Sequence, residues 1–227
     1  MFEKILGNER NKEILEKAIK LNKTSHSYLF WGTEGIGKKL IAKEVAKRIL
    51  CLEKNMQDCK CKSCIEFDSD NNPDFQLIEA TDGKIKIDQI REMQRKIAEK
   101  PIISSQKVYL IDDADTMTVE AQNCLLKTLE EPPEYITIIL ICSNEDTMLS
   151  TIKSRCTRMH FEPIEKEKVK AQVDGYEQIK ELISVDTLKT MQLLGFNYKA
   201  AIGEPLTHLC ANAIARWGNK SNAQKRR

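Results

Sequence analysis

The chain has 227 residues, with 36 Lys+Arg against 34 Asp+Glu and a formal net charge of +2. That length supports one or two domains with a sizeable core, and the near-balance of charge gives no whole-molecule case for nucleic-acid binding. No apolar run approaches the roughly 18 residues that span a bilayer, and the charged start MFEKILGNERN does not read as a signal peptide; a cytoplasmic protein with reduced thiols and no membrane partner is expected.

In chain order, 8–21 reads as an amphipathic helix with Ile14, Leu15, Ala18 and Ile19 on one face. Ser27–Trp31 is a short strand. Lys38–Leu50 is a helix with Leu40, Ile41, Val45 and Ile49 inward. A strand over 75–79 precedes a helix over 87–98, where Ile87, Ile90, Met93 and Ile97 recur at steps of three and four. Lys107–Ile111 is a buried strand. A helix over 118–129 is stopped by Pro132-Pro133. Strands follow over 136–141 and 157–161. Strands that alternate with helices, and are apolar without alternating, imply an α/β fold: a parallel sheet flanked by helices.

The pattern changes at Pro163. Beyond it come weak helical stretches over 166–173, 176–182 and 185–194. The expected organisation is a nucleotide-binding-like domain over 1–163 and a small, partial helical domain over 164–205. A basic tail over 206–227 carries Arg216, Lys220, Lys225, Arg226 and Arg227 and reads as a frayed, solvated terminus.

The segment Gly32-Thr33-Glu34-Gly35-Ile36-Gly37-Lys38 completes the pattern G-x-x-x-x-G-K between a strand and a helix. Such a loop turns successive backbone N–H groups onto phosphate oxygens, the helix adds its positive end, and Lys38 reaches the outer phosphates. The next position calls for a hydroxyl that ligates magnesium, and here it is Lys39. The second half of the site is the strand end Asp112-Asp113. Asp112 holds the magnesium-side carboxylate. Asp113 stands where an ATPase of this type carries Glu to orient water, and its side chain is one methylene shorter. The bland alternatives are a chance glycine-rich turn and an exposed acidic turn. The two departures count against ATP and Mg2+ as working cofactors of this site. Nothing points to nucleophilic or metal-hydrolytic catalysis, since His26, His160 and His208 are scattered.

Four cysteines, Cys51, Cys59, Cys61 and Cys64, fall within fourteen residues. In a reducing compartment that density suggests a closed, structural zinc site of four thiolates. Cys59-Lys60-Cys61 is C-x-C where C-x-x-C is usual, which strains simultaneous chelation. Unliganded thiols on a charged loop are the alternative. Cys124, Cys142 and Cys210 read as small apolar residues.

The run Glu120-Ala121-Gln122-Asn123-Cys124-Leu125-Leu126-Lys127-Thr128-Leu129-Glu130-Glu131-Pro132-Pro133, followed by Ser154-Arg155-Cys156, resembles the bacterial clamp-loader branch of the AAA+ ATPases. Residues 25–30, 73–75 and 85–91 fit the same family. The resemblance is dense over 1–163 and fades after 165. It implies a subunit of the DNA polymerase III machinery that helps load a sliding clamp onto primed DNA, in a hetero-oligomer with tau/gamma and delta subunits. It implies that Arg155 is an arginine finger acting on a neighbour's ATP, that Ser143 and Asn144 stand at a phosphate-sensing position, and that Lys199 loosely matches a sensor in the lid domain. The family also carries a zinc module after the phosphate-loop helix, as at 51–64. The departures at Lys39 and Asp113 resemble the non-hydrolysing, delta-prime-like members. An active tau/gamma-type ATPase and an unrelated P-loop protein are the rivals. Family members continue into a helical collar, which 203–227 does not match, leaving truncation and divergence both open.

Overall fold

Five parallel strands pair into a sheet of order β2-β3-β4-β1-β5 among the described residues: β1 Ser27–Trp31, β2 Phe75–Ile78, β3 Lys107–Ile111, β4 Ile136–Cys142 and β5 Thr157–His160. The computed structural model describes residues 2, 5, 7–54 and 59–163. The expected lid, the basic tail, Lys199 and Cys210 lie outside the described residues.

All seven residues of β4 are buried. Its sequence, ITIILIC, does not alternate because both faces of a central parallel strand are covered. Ile136, Ile138 and Leu140 pack with α4 (Ile87–Ile97) and α5 (Val119–Glu130), through Ile90, Met93, Leu125 and Leu129. Ile139 and Ile141 face the other way, toward α1 (Glu9–Lys20) and α2 (Lys38–Leu50), through Leu15, Ile19, Ile41 and Val45. Each such buried aliphatic side chain contributes about 1.5–3 kcal/mol, whereas an exposed ion pair contributes about 0–1 kcal/mol. Stability therefore resides mainly in the two apolar layers.

Two short helices, α3 (Lys62–Asp68) and α6 (Ser150–Lys153), are not legible as periodic segments. Helix α1 differs from expectation in its buried face. Ile14 is 49% exposed, and the third buried position beside Leu15 and Ile19 is Lys12. Its Nζ donates to the Ile5 carbonyl at 2.7 Å and pairs with Glu9 at 2.8 Å. The aliphatic stem fills the stripe and the ammonium is satisfied at its end. Helix α5 starts at Thr118, whose hydroxyl accepts from Ala121 N at 3.2 Å, a helix N-cap.

At the N-terminal end of the sheet, buried Asp74 accepts from the backbone N–H groups of Ile102, Ile103 and Ser104 at 2.7, 2.7 and 2.6 Å. The opposite, C-terminal end carries the loops of interest. Because β4 lies between β1 and β3, the phosphate loop after β1, Asp112 after β3 and Ser143 after β4 emerge side by side, as ligand sites do at the carboxyl ends of parallel strands.

Candidate nucleotide-binding-like site and cysteine cluster

The loop from Gly32 to Gly37 joins β1 to α2. Gly32 has φ of +146°, and an added Cβ would lie 2.2 Å from the Phe161 carbonyl oxygen. That close approach arises because Phe161 N donates to Trp31 O at 2.8 Å, extending the β5 pairing past its last residue. Gly37 precedes the first turn of α2 in the left-handed region, φ +86°, with open space where a side chain would be. Both conformations disfavour residues bearing a Cβ. Lys38 is buried and bends back onto its own loop, its Nζ donating to Gly32 O at 2.6 Å and Thr33 O at 2.7 Å. Burial pulls its pKa below the ordinary lysine value, against the opposing pull of nearby groups including Asp115 and Asp112.

Lys39 is on the same turn and points to the strand ends. Its Nζ lies 2.7 Å from Asp112 Oδ2 and 2.6 Å from Glu79 Oε1. Burial acts against its charge, but the hydrogen bonds it donates to Asp112 and Glu79, with the charges of those carboxylates, outweigh burial and raise its pKa. Asp113 is left-handed, φ +49°. Burial first, then the charges of Asp112 and Asp115, push its carboxyl above the usual range. Asp115 Oδ2 accepts from Ser143 N at 3.1 Å and Asn144 N at 3.3 Å, tying the end of β4 to the loop after β3. The predicted residues Gly32, Gly35, Gly37, Lys38, Lys39, Asp112, Asp113 and Ser143 thus all fall at the C-terminal rim of β1, β3 and β4.

Arg155 lies elsewhere, between α6 and β5. Its guanidinium donates to Thr151 O at 2.9 Å and pairs with Glu130 Oε1, at the end of α5, at 2.6 Å. The backbone beneath it is fixed, since Ser27 Oγ donates to Arg155 O at 2.7 Å. Within this chain Arg155 is a partly exposed ion-paired residue.

Cys51, Cys59, Cys61 and Cys64 are all buried, with their sulfurs within 4.8 Å of one another. Cys51 Sγ and Cys61 Sγ are 4.0 Å apart. A tetrahedron with zinc–sulfur bonds of about 2.3 Å has sulfur–sulfur edges of about 3.8 Å, so the donor set and its spacing suit such an ion. The C-x-C spacing keeps no ligand out: Cys59 and Cys61 both reach the cluster, and Cys61 N donates to Cys59 Sγ at 3.4 Å. Cys142 is buried as expected, while Cys124 is only half-buried and donates to Gln94 Oε1 at 3.3 Å.

Residues 7–165 match the family model described as DNA polymerase III, delta subunit. The chain belongs to that family. It is 37% identical over 157 residues to the DNA polymerase III subunit delta' of Bacillus subtilis, covering 69% of this chain and 48% of that protein. It is 34% identical over 170 residues to the tau/gamma subunit of Haemophilus influenzae, covering 74% of this chain and 25% of that protein. A solved structure of a DNA polymerase III gamma-subunit-related protein from Thermotoga maritima aligns with a TM-score of 0.52 at 26% identity, covering 83% of this chain and 56% of that one. The parallel sheet with flanking helices is therefore an AAA+ fold. The chain spans about half the length of the delta' relative, or less of the tau/gamma one. Among the described residues no helix is long and apolar enough to cross a membrane.

Sequence reasoning missed Glu79 and Glu130, the partners that occupy Lys39 and Arg155. Glu79 carried a usable signal, a carboxylate at the end of a strand beside the one ending in Asp112. Glu130 carried none, because helix α5 reads the same whether its last residue is paired or solvated.

The close approach at Gly32 is testable. Gly37→Ala should cost about 1–2 kcal/mol of backbone strain alone. Gly32→Ala adds a clash with a main-chain oxygen and should cost about 3 kcal/mol or more. Urea denaturation midpoints rank the two, and equal losses would mean that the loop does not press on Phe161 in solution.

Proposed function

We propose that this chain is a delta-prime-like subunit of a DNA polymerase III clamp loader, which does not hydrolyse ATP itself and lends Arg155 to a neighbour's ATP. The observation that carries the reading is Lys39: its ammonium sits on Asp112, the carboxylate that magnesium needs in an active site of this kind. Asp113 adds a second deficiency, being one methylene shorter than Glu. The proposed partners are the tau/gamma and delta subunits, and through the assembly the sliding clamp and primed DNA. The relatives' names as subunits of one polymerase support this. The tau/gamma-type ATPase remains the rival because the glycines and Lys38 of the loop are intact. Isolated protein should turn over ATP at background rate. Turnover of a few per second, abolished in Lys38→Ala, would establish the rival.

The cysteine cluster is proposed to hold one structural zinc through Cys51, Cys59, Cys61 and Cys64. Four buried thiolates leave no open coordination position, so this ion would bind no substrate. Metal analysis of protein purified without chelator should find one zinc per chain. Cys64→Ser should lower both zinc content and melting temperature, since metal binding is linked to folding. Four freely titrating thiols in fresh wild-type protein would refute the assignment.

As a finger, Arg155 would leave Glu130 for a neighbour's γ-phosphate. The exchange is cheap, because a partly exposed pair contributes about 0–1 kcal/mol, and a guanidinium keeps its charge and planar fork throughout. Arg155→Ala should leave folding and assembly intact and reduce ATP hydrolysis by the adjoining subunit at least tenfold. Trans-acting fingers contribute roughly a thousandfold or more in related phosphoryl transfers. Arg158, three residues on within β5 and paired with Glu145 at 3.7 Å, is the matched control. Equal mild losses at both positions would indicate general interface electrostatics, and no change in a complex shown to be assembled would end the finger assignment.

A further inference from the structure

We infer that Lys39 is a tethered counter-ion in the divalent-ion position, so that this site refuses Mg2+ and keeps its shape without it. The inference rests on the nucleotide-site reading above and says what in that site is lost: the place for the metal, with the phosphate cradle left intact.

Three separate elements meet at the ammonium. Lys39 belongs to the first turn of α2, Glu79 follows β2 and Asp112 follows β3. The 2.6 and 2.7 Å separations are those of charge-assisted hydrogen bonds. A magnesium ion takes oxygen ligands at about 2.0–2.1 Å in near-octahedral array, through one or two carboxylates plus phosphate and water. The carboxylate that would bind it here already accepts from Lys39, and a divalent ion beside Asp112 would face a fixed positive charge at close range. The customary hydroxyl ligand is absent as well, because Lys39 replaces it.

The surrounding charges explain why a cation must stand there. Asp112, Asp113 and Asp115 lie within four residues of chain, and Glu79 joins them from β2. Lys38 is the other cation of the loop, but its Nζ is engaged with Gly32 O and Thr33 O. Asp113 already feels the carboxylates around it, which together with burial hold its pKa up. Removing the Lys39 ammonium would leave Glu79 and Asp112 facing each other without their shared cation. In ordinary members of such folds a divalent ion neutralises this corner only while nucleotide is bound. Here the neutralising charge is covalently part of α2 and is always present.

The test is Mn2+ binding by the full chain, followed by electron paramagnetic resonance with the cysteine cluster zinc-loaded. Wild type should show no Asp112-dependent Mn2+ site up to millimolar ion. Lys39→Thr should gain one, at least tenfold tighter than any wild-type binding, and lose it again when Asp112→Asn is added. Thermal melting gives an independent readout. The wild-type midpoint should be the same in metal-stripped buffer with or without Mn2+, while the Lys39→Thr midpoint should fall in stripped buffer and recover when Mn2+ is added. Lys39→Gln, which keeps length and polarity, should gain the same site and guards against misfolding of the Thr variant. A wild-type Mn2+ site abolished by Asp112→Asn overturns the inference, and so does the absence of any gain in both Lys39 variants. Wild type that refuses Mn2+ yet fails to join the other loader subunits would sink the clamp-loader reading and leave the tethered cation standing. Wild type that takes Mn2+ through Asp112 and still joins them would do the reverse.

Discussion

Burial of β4 on both faces is the constraint from which the rest follows. A strand with seven buried residues must have helices on each side. In a parallel sheet every return crossover then brings the chain back to the same end, so the strand-to-helix loops collect at the carboxyl rim. With β1 and β3 flanking β4 in register, Trp31 beside Cys142 and Ile111 beside Leu140, a loop after β1 and an acid after β3 are held within reach of one side chain. The ion pairs at that rim are consequences of this pairing. They decide what the site can bind, while the aliphatic layers beneath decide that the site exists.

The fold was legible because its signals are periodic and redundant. Unalternated strands, helices at steps of three and four, and Pro132-Pro133 each pointed to the same layered sheet. Boundaries shifted by a residue or so. What was not legible is instructive. A period of 3.6 predicts a stripe, but not whether its edge is filled by Ile14 or by the stem of Lys12, because that depends on whether a carbonyl such as Ile5 O is present to receive an ammonium. Helices α3 and α6 are too short to show a period, and α3 is set by its cysteines and by Asn72, whose Nδ2 donates to Ser63 O at 2.9 Å.

The candidate site was legible where chemistry demands a residue at a fixed spacing, and opaque where it depends on a partner distant in sequence. Glycines, Lys38 and Asp112 belong to the first kind. Lys39 could be seen as a departure, yet its consequence turns on Glu79, forty residues away along the chain. The C-x-C spacing looked strained when the cysteines were taken in isolation. The structure accommodates it because Cys61 begins α3, so Cys64 returns to the cluster one helical turn later.

Helix α2 connects the two unusual features. Its thirteen residues extend about 20 Å, with the phosphate loop at one end and Cys51 at the other. The near end is held by Lys39 to the ends of β2 and β3. The far end would leave orphan carbonyls, and one of them, Leu50 O, accepts from buried Ser104 Oγ at 2.8 Å. Ser104 also shares a hydroxyl hydrogen bond with Ser63 of α3 at 3.0 Å, and its backbone is gripped by Asp74. Both ends of the helix are therefore fixed by groups internal to the chain, one electrostatic and one hydrogen-bonded beside the cysteine cluster. In a nucleotide-driven subunit the near end must respond to phosphate and metal, which requires that its charges be left uncompensated until ligand arrives. A helix whose near end carries its own cation has no such dependence.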